Sequence, residues 1–157
     1  MSMLFSSFEN ISIDDKGRFS IPASLRAALS PEADSSFMIV RGTEGCLFAY
    51  PKDEWIKFFR ALRRLPVTAE NTRLRRRITG SLKETKVDGQ GRVTLTADLK
   101  TLAGIGNEIV IVGDGEKLEL WNADTWRARK AKDEESATYE TDFYRAMGEI
   151  GGLADGE

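Results

Sequence analysis

Two aspartate–arginine pairs recur at the same spacing in this chain of 157 residues, and they are its best candidates for chemistry. Asp14 precedes Arg18 in one copy, Asp88 precedes Arg92 in the other, and a glycine stands directly before each arginine. Asp and Arg four residues apart across a tight turn can form a charge-assisted pair, bidentate where the geometry allows. A guanidinium has five N–H donors, more than one carboxylate can use, so we expect each arginine to keep donors for a ligand.

The other residues of the two turns are candidates for bracing them. Glycine adopts backbone conformations that are closed to residues with a side chain, so a glycine before each arginine suits a tight turn. We expect the carboxylates to brace the turns themselves or the seam between the two copies. The predicted loop-bracing residues are Asp14, Gly17, Asp88 and Gly91.

The composition argues against catalysis. The chain has no histidine and one cysteine, and no serine or cysteine stands in a nucleophile-elbow sequence. A general base working near neutral pH would need a carboxylate or lysine with a shifted pKa, and no sequence feature singles one out. A metal would need carboxylate ligands alone, and Asp14 with Asp15 is too small a cluster for that. We therefore predict no enzyme, no metal, no cofactor and no small-molecule substrate.

The chain contains an internal repeat. Sliding it so that Asp14 lies on Asp88 also matches the alternating residues and the helix start that follow, and a three-residue slip then lays Trp55 on Trp126. Chance would not keep that order over so long a stretch. A duplicated structural unit is the simplest interpretation.

Each copy predicts the same run of secondary structure. A strand (8–13 or 82–87) leads into the glycine-bearing turn, and a short alternating strand follows it. A helix then begins, with Pro22 at its first helical position in one copy and Thr96 as its N-cap in the other. The runs FMIVRGTEGCLFAY and EIVIVGDGEKLELW each predict a hairpin, because strand-like segments flank a glycine-containing turn.

Helices are predicted after both hairpins and between the two copies. One helix follows Pro51 and a matching one follows Asn122. The first has an apolar face at helical spacing, formed by Trp55, Phe58, Phe59 and Leu62. A linker helix is expected over 69–79, with Thr68 as its N-cap. In the acidic end that follows we expect frayed chain, with a short helix near 139–147.

Charge is unevenly distributed although the net charge is only −2. Residues 133–157 are strongly acidic, which leaves a basic body. In that body, residues 57–77 hold a single acid, Glu70, and the bases Lys57, Arg60, Arg63, Arg64, Arg73, Arg75, Arg76 and Arg77. The sequence leaves open whether the last four contact phosphate, pair with acids of a neighbouring protomer or hold the acidic tail.

The sequence predicts a cytoplasmic protein with no membrane partner. No run approaches the roughly 18 apolar residues of a membrane span. The N-terminus also lacks the basic-then-apolar layout of a signal peptide. The single cysteine, Cys46, cannot form an internal disulfide, and its apolar neighbours suggest a buried thiol.

At the two turns the chain resembles a known class of DNA-binding unit. The segment IDDKGRFSIPASLR and its counterpart VDGQGRVTL are similar to the D-x-x-x-R signature of AbrB-type, swapped-hairpin proteins. Two such units in one chain of this size resemble the MraZ family of bacterial transcriptional regulators. The resemblance covers residues 4–130 and also rests on CLFAYPKDEW and LELWNADTW.

The resemblance implies an α+β fold. Two duplicated AbrB-type βαββα units would interlace into a pseudo-twofold, β-barrel-like core with peripheral helices. The units are expected at 4–58 and 81–130, with a basic helical linker at 59–80 and an acidic, flexible tail at 131–157.

The resemblance also implies a sequence-specific DNA-binding transcriptional regulator associated with the nucleoid. Such proteins form ring-like homo-oligomers and bind tandem repeats of double-stranded DNA in the promoter of a division and cell-wall gene cluster. Carried onto this chain, the DNA-binding candidates are Lys16, Arg18, Arg26, Gln90, Arg92 and Lys100. In the second copy Gln90 replaces the lysine of the pattern and Thr96 replaces the proline, so we expect the first copy to contribute more positive charge.

A second interpretation is a protein-interaction or antitoxin-like module that contacts DNA only incidentally, because AbrB-type units also occur in that role. Such proteins usually hold one unit and a partner-binding tail. This chain has two units, and its tail shows no obvious apolar anchor. These features favour the DNA-binding interpretation.

Overall fold

The structure is a computed structural model that describes residues 2–155, with side chains described as far as residue 153. The chain forms two compact units, divided between Ala123 and Asp124. The first unit contains the β-sheet, and the second is helical.

The strands of the first unit are short, and helices lie between them. In chain order the strands are β1 (Phe8–Ser12), β2 (Arg18–Ser20), β3 (Ser36–Arg41), β4 (Leu47–Pro51), β5 (Lys83–Lys86), β6 (Arg92–Thr94), β7 (Glu108–Gly113) and β8 (Leu118–Asn122). The helices are α1 (Ala23–Ala27), α2 (Lys52–Arg63), α3 (Ala69–Thr79) and α4 (Ala97–Ala103), with a 3-10 turn at Pro31–Ala33. Helix α5 (Ala123–Glu135) starts at the boundary, and α6 (Tyr139–Asp155) ends the described chain.

The main sheet mixes strands from both sequence copies. Its order is β1-β7-β8-β4-β3-β5, and every neighbouring pair is antiparallel. Strand β1 of the first copy pairs with β7 of the second, and β5 of the second copy pairs with β3 of the first. Each copy thus adds an edge strand to the hairpin of the other. The sheet is open, with β1 and β5 at its edges, so the barrel-like closure expected from the resemblance is not confirmed.

A separate two-stranded ribbon of β2 and β6 joins the two copies again. Phe19 faces Val93 at the centre of its antiparallel register. Beyond the strands, the N–H of Leu95 donates to the carbonyl of Gly17 at 2.7 Å, and the N–H of Ile21 donates to that of Gly91 at 2.9 Å. The two contacts are equivalent in the two copies. They bring the two glycine-bearing turns into one ribbon.

The hydrophobic core lies beneath this ribbon. Phe19 and Val93 point inward and are buried with Leu25 of α1 and Leu99 of α4. The same cluster takes in the inner faces of β3, β4, β7 and β8. The outer strand face of the ribbon is left to polar residues, as the period of two along a strand requires.

A second cluster forms around α2, and it confirms the predicted apolar face. Trp55 is buried against Tyr50 and Val40, while Phe58 and Phe59 pack at the margin. Tyr50 and Phe58 stack with ring centroids 5.3 Å apart. These aromatic contacts fix α2 to the β3–β4 hairpin.

Most of the locally encoded elements are confirmed. Both hairpins form, the two entering strands lie within the expected ranges, and α3 begins after Thr68, whose Oγ1 accepts the N–H of Asn71 at 3.0 Å. Thr96 caps α4 in the same way. Pro22 is the N-cap of α1 rather than its first helical residue. Cys46 is buried, and burial raises the pKa of its thiol to about 12.

The end of the chain is more helical than its sequence predicts. The short helix expected near 139–147 continues to Asp155 as α6, and the last two residues of the predicted tail, 156 and 157, lie outside the described residues. Pairs four residues apart support this helix: the rings of Tyr139 and Phe143 are in contact, and Arg145 forms an ion pair with Glu149. Although the sequence shows no obvious apolar anchor in the tail, Phe143, Met147 and Ile150 are exposed on this helix.

Replacing Gly17 by alanine should destabilise the fold through the contact between the two copies. Gly17 has φ +80°, and a Cβ there would overlap the carbonyl oxygen of Leu95. Positive φ alone costs an L-residue about 1–2 kcal/mol, and the overlap adds to that cost. Gly89→Ala is the matched control, because nothing lies within 4 Å of its Cβ position.

Urea denaturation of both variants tests this expectation. The urea midpoint of Gly17→Ala should fall clearly. The free energy of unfolding of Gly89→Ala should stay within about 0.5 kcal/mol of that of the unsubstituted protein. Equal stability of the two variants would show that the close approach of Gly17 to Leu95 does not constrain the fold.

Candidate nucleic-acid interface

The first turn is held by the carboxylate of Asp14. Its Oδ1 accepts the backbone N–H groups of Lys16 and Arg18, each at 2.9 Å, and its Oδ2 accepts Nε of Arg18 at 2.8 Å. The N–H of Gly17 donates to the carbonyl of Asp14 at 3.0 Å and closes the turn. The carboxylate therefore orients both the turn and the guanidinium that follows it.

The second turn repeats the same set of contacts. Oδ1 of Asp88 accepts the N–H groups of Gln90 and Arg92, each at 2.9 Å, and Oδ2 accepts Nε of Arg92 at 3.1 Å. Gly91 has φ +76° and donates its N–H to the carbonyl of Asp88 at 3.0 Å. Four residues predicted to brace the loops are thus found in equivalent contacts: Asp14, Gly17, Asp88 and Gly91.

Both carboxylates are stabilised in their ionised form. The backbone hydrogen bond from Arg18 is the main reason why the pKa of Asp14 lies below its ordinary value of 3.8. The corresponding hydrogen bond from Arg92 lowers the pKa of Asp88 in the same way. At neutral pH each turn therefore holds a carboxylate anion beside its arginine.

The ribbon register places both arginines on one face. Arg18 is paired with Thr94, and Arg92 with Ser20. Paired residues of an antiparallel ladder point to the same side, and residues two apart along a strand do so as well. All four side chains therefore share the outer face. The two arginines are diagonal neighbours, whose Cα atoms lie about 7–8 Å apart in such a ladder.

The two guanidinium groups keep donors for a ligand. The side chain of Arg18 is 34% exposed and that of Arg92 is 27% exposed. In the described structure each uses its Nε for the neighbouring carboxylate, which leaves the Nη groups available. A guanidinium fixed on one edge and open on the other suits phosphate or the edge of a guanine base.

The other predicted DNA-binding residues differ in their relation to this face. Lys16 and Gln90 lie at the exposed tips of the two turns. Arg26 of α1 is exposed, and its guanidinium lies against Gly91, so the second turn gains a cation from the first copy. Lys100 is half-buried in α4, one residue after the buried Leu99.

Neither a metal centre nor a membrane-spanning helix is present among the described residues. No three His, Cys, Asp or Glu side chains among them are placed to hold a metal ion. Within residues 2–155, no helix combines the length and apolar character needed to cross a membrane.

Comparison of the sequence with known proteins identifies a family. The sequence model of a family described as "MraZ protein, putative antitoxin-like" matches the chain twice, over residues 4–78 and 80–146. The chain belongs to the MraZ family. The two matches also confirm the internal repeat inferred from the sequence.

Relatives within the MraZ family align with most of this chain. A protein of Thioalkalivibrio sulfidiphilus is 36% identical over 132 residues, which are 83% of this chain and 87% of the relative. A protein of Dehalococcoides mccartyi is 36% identical over 137 residues (86% and 93%), and one of Lactobacillus delbrueckii subsp. bulgaricus is 38% identical over 129 (82% and 86%). Each of these relatives is named "Transcriptional regulator MraZ".

The sequence analysis missed two residues of the shared face. Ser20 and Thr94 are exposed beside the arginines and present hydroxyl groups, which can donate to or accept from a ligand. Strand alternation places each on the side of its own arginine. The pairing of β2 with β6, which joins the four residues, is a long-range contact that no local pattern states.

The carboxyl titrations of the two turns should follow the backbone more than the arginine side chains. We expect Asp14 and Asp88 to titrate below 3.8, because the largest stabilisation of each carboxylate comes from a backbone N–H. Since the folded pKa is lowered, the carboxylate contributes stability above the unfolded pKa. That contribution is lost as the pH falls through the folded pKa.

Carbon-13 NMR titration of Arg18→Gln measures which donor dominates. Glutamine keeps the backbone N–H at residue 18, so the pKa of Asp14 should stay below 3.8. The pKa of Asp88 serves as the internal control, because its own turn is unchanged. A pKa of Asp14 that returns to 3.8 would show that the guanidinium, not the backbone, holds the turn.

Proposed function

We propose that this MraZ-family chain is a DNA-binding transcriptional regulator and that the outer face of the β2–β6 ribbon is its DNA contact. The observation that carries the proposal is the placement of Arg18 and Arg92 on one exposed face, each oriented by a carboxylate. The names of the relatives support the same function.

The shape of the ribbon supports this contact. The major groove of B-DNA is about 12 Å wide and admits a two-stranded β-ribbon. The ribbon presents arginine, serine and threonine side chains outward, and these residue types contact phosphates and base edges. Lys16 and Gln90 at the turn tips would then reach the phosphates that flank the groove. Arg26 would add a cation beside the second turn, and Lys100 of α4 would lie farther from the DNA.

The finer features of the proposal come from the family resemblance and the exchange of strands. We infer two AbrB-type units at 4–58 and 81–130, related by a pseudo-twofold axis through the ribbon. The equivalent contacts of Gly17 and Gly91 support this symmetry. The basic linker would span 59–80, and the acidic tail 131–157.

The proposed assembly is a ring-like homo-oligomer on tandem promoter repeats of the division and cell-wall gene cluster, in the cytoplasm and at the nucleoid. One ribbon offers only a few cations, so a single chain should bind weakly. A ring that presents several ribbons to tandem sites gains affinity through effective concentration without any new contact.

An antitoxin-like role is the second candidate, and one observation favours it. Helix α6 exposes an apolar face, which a partner-binding tail would need. Binding to promoter DNA separates the two candidates. A DNA-binding regulator needs the ribbon arginines for a specific complex, whereas a module that contacts DNA only incidentally forms no specific complex that depends on them.

Alanine at either ribbon arginine should weaken binding to DNA from upstream of the protein's own gene. Loss of a guanidinium that reads a base should cost about 1–3 kcal/mol, or roughly 5- to 150-fold in affinity. The measurement is a gel shift with Arg18→Ala and Arg92→Ala. Arg60→Ala is the matched control. Arg60 is exposed on α2, so its substitution removes the same charge from a surface outside the ribbon.

Light scattering shows whether the assembly survives in each variant. Weaker binding at unchanged mass assigns the arginines to the DNA contact. If Arg60→Ala weakens binding as much as the ribbon variants, the effect belongs to overall charge and the ribbon is not the reading surface.

Salt should weaken the complex steeply. Each phosphate neutralised contributes about −0.9 to the slope of log K against log salt concentration for B-DNA. Lys16→Ala, at the tip of the first turn, should reduce the magnitude of that slope by about 1 if Lys16 contacts a phosphate. A slope near zero for the unsubstituted protein would contradict an electrostatic contact with the DNA backbone.

A further inference from the structure

Helix α6 has one apolar face with acids on both sides. With about 100° of rotation per residue, four residues fall on one stripe, and each is at least half exposed: Tyr139, Phe143, Met147 and Ile150. Glu140 flanks the stripe on one side, and Asp142 and Glu149 flank it on the other. An amphipathic helix whose apolar face is exposed typically covers that face in a complex.

The first unit contains a groove of complementary character. It lies between α3, α4 and the adjoining ends of β3 and β5, and has a volume of about 320 Å³. Leu99 and Leu102 of α4 supply its apolar lining. Its charged residues are mostly basic, with Asp98 as the one acid among Arg41, Arg76, Arg77 and Lys83.

Although Asp98 also lines the groove, its four basic residues form no ion pair among the described residues of the first unit. Arg41, Arg76, Arg77 and Lys83 are all exposed. Ion pairs are recorded elsewhere on the same surface, such as Lys52 with Glu84 at 2.9 Å. Among the described residues of the first unit, none is recorded for these four. The groove therefore presents uncompensated positive charge around an apolar strip.

We propose that helix α6 of one copy docks in this groove of a second copy. The inference deepens the proposed function, since it rests on the ring-like assembly and names the two surfaces that would build it. Apolar stripe would meet apolar lining, and the flanking acids would meet the arginines of α3. Both matches point to the same pair of surfaces.

A second copy fits these surfaces better than DNA does. A phosphate backbone would satisfy Arg76 and Arg77 but would leave Leu102, which is 40% exposed, against a charged ligand. It would also leave the stripe of α6 exposed. A helix of a second copy covers both apolar surfaces at once.

The proposed contact also has the right symmetry for a ring. A helix from one copy and a groove from the next form a heterologous interface, and such interfaces close into rings when the rotation permits. The lining of the groove includes neither Arg18 nor Arg92, so both arginines stay available for DNA.

Reciprocal charge reversal tests the pairing in the full-length chain. One variant carries Arg76→Glu and Arg77→Glu in the groove, and the other carries Glu140→Lys and Glu149→Lys on α6. Alone, each variant opposes like charges and should fall to the single-chain mass of 17.5 kDa by light scattering. Mixed in equal amounts, they restore opposite charges at every contact of an alternating assembly, and the mass should recover.

The recovery on mixing shows that neither variant has simply failed to fold. Arg60→Glu with Arg64→Glu is the charge-matched control, because Arg60 of α2 and Arg64 at its C-cap are exposed and lie outside the groove lining. This control variant should keep the mass of the unsubstituted protein. An unsubstituted protein that is itself a single chain overturns the inference and the ring. In that case, the affinity of the single chain for one DNA repeat would still test whether the ribbon is the DNA contact.

A second pair of variants tests the apolar part of the contact. Phe143→Ala removes an aromatic ring from the stripe, whereas Tyr144→Ala removes one from the same helix about 100° away. We expect only Phe143→Ala to lower the mass. Equal masses for both variants overturn the inference. The inference is also overturned if the variant with Arg76→Glu and Arg77→Glu keeps its mass but binds DNA more weakly. The groove would then bind phosphate.

Discussion

The pairing of β2 with β6 is the constraint on which the rest of the structure depends. Each strand has only three residues, so neither could persist without its partner and the core beneath it. Buried Phe19 and Val93 hold the ribbon from below, and the carbonyls of Gly17 and Gly91 extend its ladder at both ends. The positions of the two arginines relative to one another follow from this register alone.

The exchange of edge strands explains why the motif occurs twice in one chain. Each copy supplies a strand that the hairpin of the other copy pairs with, and half of the ribbon. A single copy would leave those backbone groups without partners, a state that folded proteins avoid. Joining two copies in one chain makes the second association intramolecular, so the fold does not depend on protein concentration.

How far the sequence predicts this structure depends on the range of the interaction. Alternating residues, glycine turns and the caps Thr68 and Thr96 are local signals, and the elements that they predict are present. The open sheet and the face shared by Ser20 and Thr94 depend on long-range register, which periodicity does not state. The sequence predicts too short an α6 because Gly148, Gly151 and Gly152 lower helix propensity, whereas the helix continues through all three.

The aspartates give the proposed DNA contact an unusual balance between charge and order. Each carboxylate cancels much of the charge of its own arginine. The two turns together therefore attract DNA less than two unpaired arginines would. In return the carboxylate fixes the guanidinium by its Nε, and a donor already held in place loses less freedom on binding. Discrimination between bases depends on such oriented donors, whereas bulk attraction depends on net charge. A chain with a net charge of −2 can therefore be selective for DNA sequence, provided that several ribbons act together.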